Sequence, residues 1–203
     1  MNKLLTEIPL LLILTLVLSL PIAADQEYLE VDSYDSLEIG TGMEGIVSCG
    51  SKNTVTLFGN KKDLDHIEVN VQAGKLEISR RTSAGKILHN LFGNDGDNNS
   101  VRVEITTVGQ LSNIDASTGS SLTIPGCAVN NSLIRIDAGT GAMVNIEGNT
   151  GTVELDLSTG SIFNQGGGHF TADIAEVDIS TGAIADLCGA KTISGSASTG
   201  AMI

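Results

Sequence analysis

The sequence has few of the residues on which many binding and catalytic proteins depend. It has no tryptophan, aromatic residues make up 3% of the chain, and there are only 3 prolines and 3 cysteines. Because the only tyrosines, Tyr28 and Tyr34, lie close together near residue 30, a sugar-binding face of stacked aromatic rings is disfavoured. The 24 glycines instead indicate a chain with many tight corners.

Basic residues are also scarce. The chain carries 11 lysines and arginines against 24 acidic residues, for a net charge of −13. Beyond residue 105, only Arg135 and Lys191 stand against nine acidic residues. Such a surface repels phosphate, so nucleic acid and anionic membranes are excluded as favourable partners.

Long apolar runs are absent after residue 24. At the start, Lys3 precedes a 13-residue apolar run from Ile8 to Leu20, and Ala23 and Ala24 stand just before Asp25. A run of this length is too short for a hydrocarbon core of about 30 Å, so residues 1–24 are predicted to be a secretory signal peptide. We therefore expect an exported protein, located in the periplasm, at the cell surface or outside the cell, with no transmembrane segment after cleavage.

The remainder, residues 25–203, is predicted to be a single all-β domain. Period-two alternation of apolar and polar residues marks short strands at 36–39, 54–57, 66–71, 75–78 and 101–105. A loop is predicted near residues 82–100, where the composition is rich in Gly, Asn and Asp. Residues 25–105 would form irregular N-terminal rungs, and residues 106–203 a regular repeat.

That repeat is a short phrase with the consensus Ser-Thr-Gly-Ala/Ser. Its corner glycines are Gly119, Gly141, Gly160, Gly182 and Gly200, separated by 22, 19, 22 and 18 residues. A period near 20 that ends in a glycine corner is typical of stacked repeats. The sequence therefore predicts a single-stranded parallel β-helix, a β-solenoid with about 20 residues per rung.

A ladder of carboxylates accompanies these corners. Apolar residues five and three positions before each of the first four glycines should point inward. The residue four before each is Asp115, Asp137, Asp156 or Asp178 and should point outward, whereas the fifth copy breaks the pattern with Gly195, Ser196 and Ala197. Stacked at about 4.8 Å, each pair of carboxylates would repel by about 1 kcal/mol even in water. Calcium bridging neighbouring members is one hypothesis, and the alternative is that the side chains spread into solvent. No other cofactor is expected.

The cysteines are odd in number. Cys127 and Cys188 should lie about 14 Å apart on a stack with a 4.8 Å step, beyond the roughly 7 Å that a disulfide spans. We expect buried free thiols, while a bridge from Cys49 to either of the others stays open.

These motifs resemble the bacterial family described as "putative auto-transporter adhesin, head GIN domain". The resemblance rests on the Ser-Thr-Gly-Ser/Ala corners, on Tyr34 to Cys49 followed by 54–59, and on Leu76-Glu77-Ile78-Ser79, and it covers roughly residues 30–203. It implies an exported, non-enzymatic β-helix, right-handed like most parallel connections. It brings no catalytic residues with it.

The sequence thus predicts an adhesin-like binding or structural module of the cell envelope, and no enzyme. The alternatives are a periplasmic protein for envelope maintenance or sensing, and a polysaccharide lyase that uses Arg135 or Lys191. Gly40-Thr41-Gly42-Met43-Glu44-Gly45 matches a dinucleotide fingerprint, but a strand follows where the fingerprint needs a helix. The expected partner is a protein or envelope component, and self-association through the C-terminal edge is a further expectation.

Overall fold

Two β-sheets make up the fold of this chain, in a computed structural model that describes residues 25–81, 101–165 and 169–203. The predicted signal peptide and the predicted loop at 82–100 lie outside these residues. Each sheet has eight strands, in the order β1-β4-β7-β3-β9-β11-β13-β15 in the first and β16-β14-β12-β10-β8-β2-β6-β5 in the second. The N-terminal strands are β1 Asp25–Glu30, β2 Ser36–Ile39, β3 Glu44–Cys49, β4 Thr54–Gly59, β5 Ile67–Gln72, β6 Lys75–Arg80 and β7 Arg102–Thr107.

From β8 onward the chain alternates regularly between the two sheets. These strands are β8 Asn113–Ala116, β9 Ser121–Ile124, β10 Leu133–Ala138, β11 Met143–Ile146, β12 Gly148–Leu157, β13 Ile162–Phe163, β14 Phe170–Ile179, β15 Ile184–Ala185 and β16 Ala190–Ala197. All the pairs among them are parallel. Two short helices, α1 (Lys61–Leu64) and a 3-10 turn (Gly126–Ala128), complete the described elements.

The all-β class is as predicted, but the prediction of a single-stranded, right-handed parallel β-helix is wrong. The described strands form two separate sheets that mix antiparallel and parallel pairs, and neither sheet closes on itself. The antiparallel pairs are β1 with β4, β4 with β7, and β5 with β6. For β5 and β6 the physical reason is visible at Ala73 and Gly74, which both have positive φ (51° and 81°) and form the two-residue turn that folds β6 back on β5.

The core lies between the two sheets. Alternate residues of each strand point inward, and the buried apolar side chains of both sheets form one cluster. Phe163 and Phe170 meet edge to face inside it, with ring centroids 5.6 Å apart. Outward-facing residues of the same strands are polar or charged at most positions. The polar and charged groups available to a partner therefore lie on the outer faces of the two sheets.

The cysteines differ from the expectation of buried free thiols. Cys49, at the end of β3, is bonded to Cys127 in the 3-10 turn, with Cα atoms 6.4 Å apart. Cys188 is free, but it is exposed rather than buried. The bridge joins two segments 78 residues apart in sequence, a proximity that spacing from the corner glycines does not encode. In the described part of the chain, no helix is long and apolar enough to cross a membrane.

Candidate functional site

A long groove runs across the outer face of the second sheet. Its volume is about 770 Å³, and it crosses the strands from β6 to β16. The residues that line it belong mainly to two outward-facing rows, one residue per strand in each row. The lining residues are Ser36, Leu37, Lys75, Asn113, Ile114, Asp115, Arg135, Ile136, Asp137, Glu154, Leu155, Asp156, Glu176, Val177, Asp178, Ser194 and Gly195. We refer to this surface as the acidic groove.

The first row consists of carboxylates in register. The four aspartates predicted from the corner spacing lie on adjacent strands, because β8, β10, β12 and β14 pair in parallel with each aspartate opposite the next. The register extends the row past them in both directions. From one end to the other, this carboxylate row is Glu77, Glu38, Asp115, Asp137, Asp156 and Asp178, and Ser196 follows on β16.

Close stacking perturbs the middle of the carboxylate row. Partial burial raises the pKa of Asp115, and the neighbouring charges of Glu38 and Asp137 raise it further. Burial also raises the pKa of Asp137, with the charge of Asp156 as the second cause. At the β16 end the repulsion is relieved, since the Ser196 hydroxyl donates to Asp178 Oδ1 at 2.8 Å. The central aspartates, Asp115 and Asp137, are therefore the members of the row whose charged form is disfavoured.

The second row mixes charges. Arg135 donates to both carboxylate oxygens of Glu154 on the adjacent strand, from Nε at 2.6 Å and from Nη2 at 3.3 Å. Lys75 pairs with Glu38, and this contact raises the pKa of the lysine. The groove thus has six lining carboxylates against two lining cations, and both cations already pair with a carboxylate.

Sequence reasoning missed this second row, although a signal for it exists. Asn113, Arg135, Glu154, Glu176 and Ser194 all stand six residues before a corner glycine. That position has the same outward parity as the aspartate position. This shared offset predicts that Arg135 lies beside Glu154 on the neighbouring strand.

The predicted corner glycines lie at the turns that carry the chain from the second sheet to the first. Gly119, Gly141, Gly160, Gly182 and Gly200 have φ between 66° and 73°. At each turn the glycine N–H donates to the threonine carbonyl of the next corner, at 3.0 to 3.2 Å, from Gly42 through to Gly182. The fingerprint-like glycines at 40–45 belong to this series, since Gly42 has a φ of 67° and lies between β2 and β3.

The carboxylate row and the two bases of the lyase alternative are the groups of this chain that bear on metal and acid–base chemistry. Within the described ranges, no group of three or more His, Cys, Asp or Glu side chains is placed to hold a metal ion, and calcium takes 6–8 oxygen ligands. Lys191, the second base of the lyase alternative, forms an ion pair with Asp173 at 2.6 Å. Arg135, the first, is held by Glu154. Both bases of the lyase alternative are thus paired with carboxylates in this structure.

Comparison with known proteins identifies similar folds. A putative adhesin of Bacteroides fragilis has a TM-score of 0.54 at 12% identity, over 88% of this chain and 96% of the other. A putative adhesin of Parabacteroides merdae also has a TM-score of 0.54, at 10% identity, over 87% of this chain and 81% of the other. Identities this low show a shared fold only. No protein of curated function is similar enough in sequence to match the chain.

The family relationship rests on the sequence itself. A family model matches residues 33–203, which include both rows of the acidic groove and all five of the predicted corner glycines. This agrees with the resemblance seen in the corner motifs and in the N-terminal strands. The chain therefore belongs to the family described as "putative auto-transporter adhesin, head GIN domain".

Proposed function

We propose that the protein is an exported, non-enzymatic, adhesin-like binding module of the cell envelope, and that its acidic groove holds an extended cationic segment of a protein partner. The observation that carries this proposal is the carboxylate row, six acidic side chains in register across six adjacent strands, of which the four aspartates line the groove. A row of one charge sign in a concave surface attracts and orients ligands of the opposite sign.

The chemistry of the groove favours lysine- or arginine-rich chains over small cations. Neighbouring carboxylates lie about 4.8 Å apart, whereas alternate side chains of an extended peptide repeat at about 6.8 Å. Long, flexible lysine and arginine stems can absorb this difference and place their charged ends between carboxylates.

The family description and the disulfide support the proposal that the protein is exported. The family description and the names of the two similar structures refer to adhesins, which act outside the cytoplasm. The Cys49–Cys127 disulfide is a bond of oxidising compartments, such as the periplasm and the cell surface. An envelope-maintenance or sensing protein of the periplasm would use the same groove, and the two roles differ in location.

Binding of a labelled oligolysine peptide tests the groove. We expect fluorescence anisotropy to show saturable binding at about 50 mM salt that weakens strongly at about 300 mM, because screening shortens the reach of surface charges. The double variant Asp137→Asn/Asp156→Asn should bind about five- to thirtyfold more weakly, because two lost contacts at about 0.5–1 kcal/mol each sum to about 1–2 kcal/mol.

A matched control separates local from overall charge. The double variant Glu27→Gln/Asp32→Asn removes the same two charges from β1 and the segment after it, away from the groove. It should bind as the unaltered protein does. Equal losses in both double variants, or no binding by the unaltered protein, would overturn the proposed role of the groove.

A further inference from the structure

The outer face of the first sheet carries an apolar stripe at its C-terminal end. Met143, Ile162, Ile184 and Met202 lie in register on neighbouring segments, each opposite the next. Each stands two residues after a corner glycine, on the outward parity; Met143 and Met202 are exposed, and Ile162 and Ile184 are half-buried. Met143 is 36% exposed and Met202 is 56% exposed. We refer to these four side chains as the apolar stripe.

The surroundings of the apolar stripe carry few charged side chains. Beside it runs a column of exposed corner threonines, Thr140, Thr159, Thr181 and Thr199. On the N-terminal side the stripe ends at Ser121 of β9. Two acidic side chains lie near the stripe: Asp186, just after β15, which accepts a hydrogen bond from the Cys188 amide at 3.1 Å, and Glu44 of β3, which lies opposite Ser121. In a chain of net charge −13, this is a surface that a second acidic molecule can approach without strong repulsion.

The order of the side chains makes the apolar stripe self-complementary. The order of the row is Met, Ile, Ile, Met. A two-fold axis that runs parallel to the strands, between Ile162 and Ile184, therefore places Met143 opposite Met202 of the second copy and Ile162 opposite Ile184 of the second copy. Such an axis produces an isologous interface, the commonest kind in homodimers. It also directs the acidic grooves of the two copies away from each other, since each groove lies on the opposite sheet.

We propose that the apolar stripe is a dimerisation surface whose occupant is the same stripe of a second copy of this chain, in antiparallel orientation. The stripe is about 14 Å long, three steps of about 4.8 Å. Even with the flanking threonines it falls short of the roughly 800 Å² per partner of a standard interface. The dimer is therefore weak and reversible, and it forms at high local concentration. The proposal does not depend on what the acidic groove binds.

Sedimentation equilibrium from about 10 µM to about 1 mM tests the proposal. We expect the unaltered protein to show a concentration-dependent dimer, and Ile162→Thr/Ile184→Thr to raise the dissociation constant at least tenfold. The control is Ile46→Thr, an isoleucine 37% exposed on the same face but outside the stripe, which should leave the constant unchanged. Thermal melts of each variant show that it is folded.

Disulfide trapping tests the orientation. In a Cys188→Ser background, Met143→Cys and Met202→Cys should cross-link when the two variants are mixed. Each alone should not, because like positions lie about 14 Å apart, beyond the roughly 7 Å reach of a disulfide. A monomer at all concentrations, equal trapping of the single variants, or association that the Ile162→Thr/Ile184→Thr change leaves intact would overturn the proposal. The last result would indicate pairing elsewhere, such as the outer edge of β16.

Discussion

Asp137 is the residue at which the repulsion within the carboxylate row can be measured. Burial and the charge of Asp156 raise its pKa, so the folded protein holds this proton more tightly than the unfolded chain does. The contribution of Asp137 to the free energy of unfolding therefore falls as pH rises from the unfolded pKa, near 3.9, through the raised folded value. At neutral pH the destabilisation is complete, and in acid it disappears.

We accordingly expect Asp137→Asn to stabilise the protein at pH 7 by about 0.5 kcal/mol, or about 1–2 °C in Tm, because solvent screens the repulsion at an exposed side chain. The gain should shrink toward pH 4, and salt should reduce it. The measurement is a series of thermal melts across pH 4–8 at two salt concentrations. Asp178→Asn is the matched control, because Ser196 replaces a carboxylate on one side of Asp178. A larger gain at Asp178 than at Asp137 would contradict this account.

Substitutions at Gly160 and Gly195 distinguish the cost of backbone strain from the cost of a steric clash. The φ of Gly160 is +69°, and a Cβ placed there would meet nothing within 4 Å. Gly160→Ala should therefore lower the free energy of unfolding by about 1–2 kcal/mol through strain alone, and Gly160→Asn by less, since Asn tolerates this conformation. Gly195→Ala should cost more, because its Cβ would lie 1.8 Å from the Val177 carbonyl oxygen. Denaturant titrations rank the three variants, and an equal loss at both glycines would refute the distinction.

Among the elements, β3 and the 3-10 turn are joined by the Cys49–Cys127 bond. The bond closes a loop across a sequence separation of 78 residues, for which chain entropy predicts about 4.5 kcal/mol, although measured values are usually about 2–4 kcal/mol. We expect Cys49→Ser/Cys127→Ser to lower the free energy of unfolding by about 2–4 kcal/mol. Cys188→Ser, which removes the exposed free thiol, is the control and should leave it nearly unchanged. Equal effects would argue against the bond.

The sequence predicted individual strands better than their arrangement. Alternation located β2 at its observed bounds, and β4, β5, β6 and β7 to within two residues at each end. Alternation describes one strand at a time, however, and does not say which strand pairs with which. The antiparallel insertion of β4 between β1 and β7 depends on long-range packing, and that information is not local.

In the candidate site, too, local features were predicted and long-range contacts were not. The spacing of the corner glycines placed Asp115, Asp137, Asp156 and Asp178 on one outward parity, because a repeated offset from a turn fixes the direction of the side chain. Glu38 has the same offset, four residues before Gly42, but Gly42 lies outside the Ser-Thr-Gly repeats and was not recognised as a corner. The extension of the row to Glu77 could not be predicted, since Glu77 belongs to the hairpin of β5 and β6 and does not precede a corner glycine. The pairing of Lys75 with Glu38 needed the same tertiary contact.

At the scale of the whole molecule, location decides between the adhesin and the periplasmic alternative. We expect protease added to intact cells to cleave an epitope-tagged full-length copy, as an adhesin must be exposed to its partner. A periplasmic protein of known location, tagged in the same way, is the control and should be cleaved only after the outer envelope is opened. Protection of both proteins in intact cells would refute surface exposure and favour the envelope-maintenance or sensing role.

The parallel register of the second sheet also determines how the molecule carries a mechanical load. Hydrogen bonds between neighbouring strands point along the acidic groove, across the strands. A pull along the groove would therefore peel the strands apart one ladder at a time. A pull along the strand direction would have to shear every bond of a ladder together. A partner bound across many strands distributes the force over several ladders. The second sheet should therefore resist unfolding best when the force acts in shear, parallel to its strands.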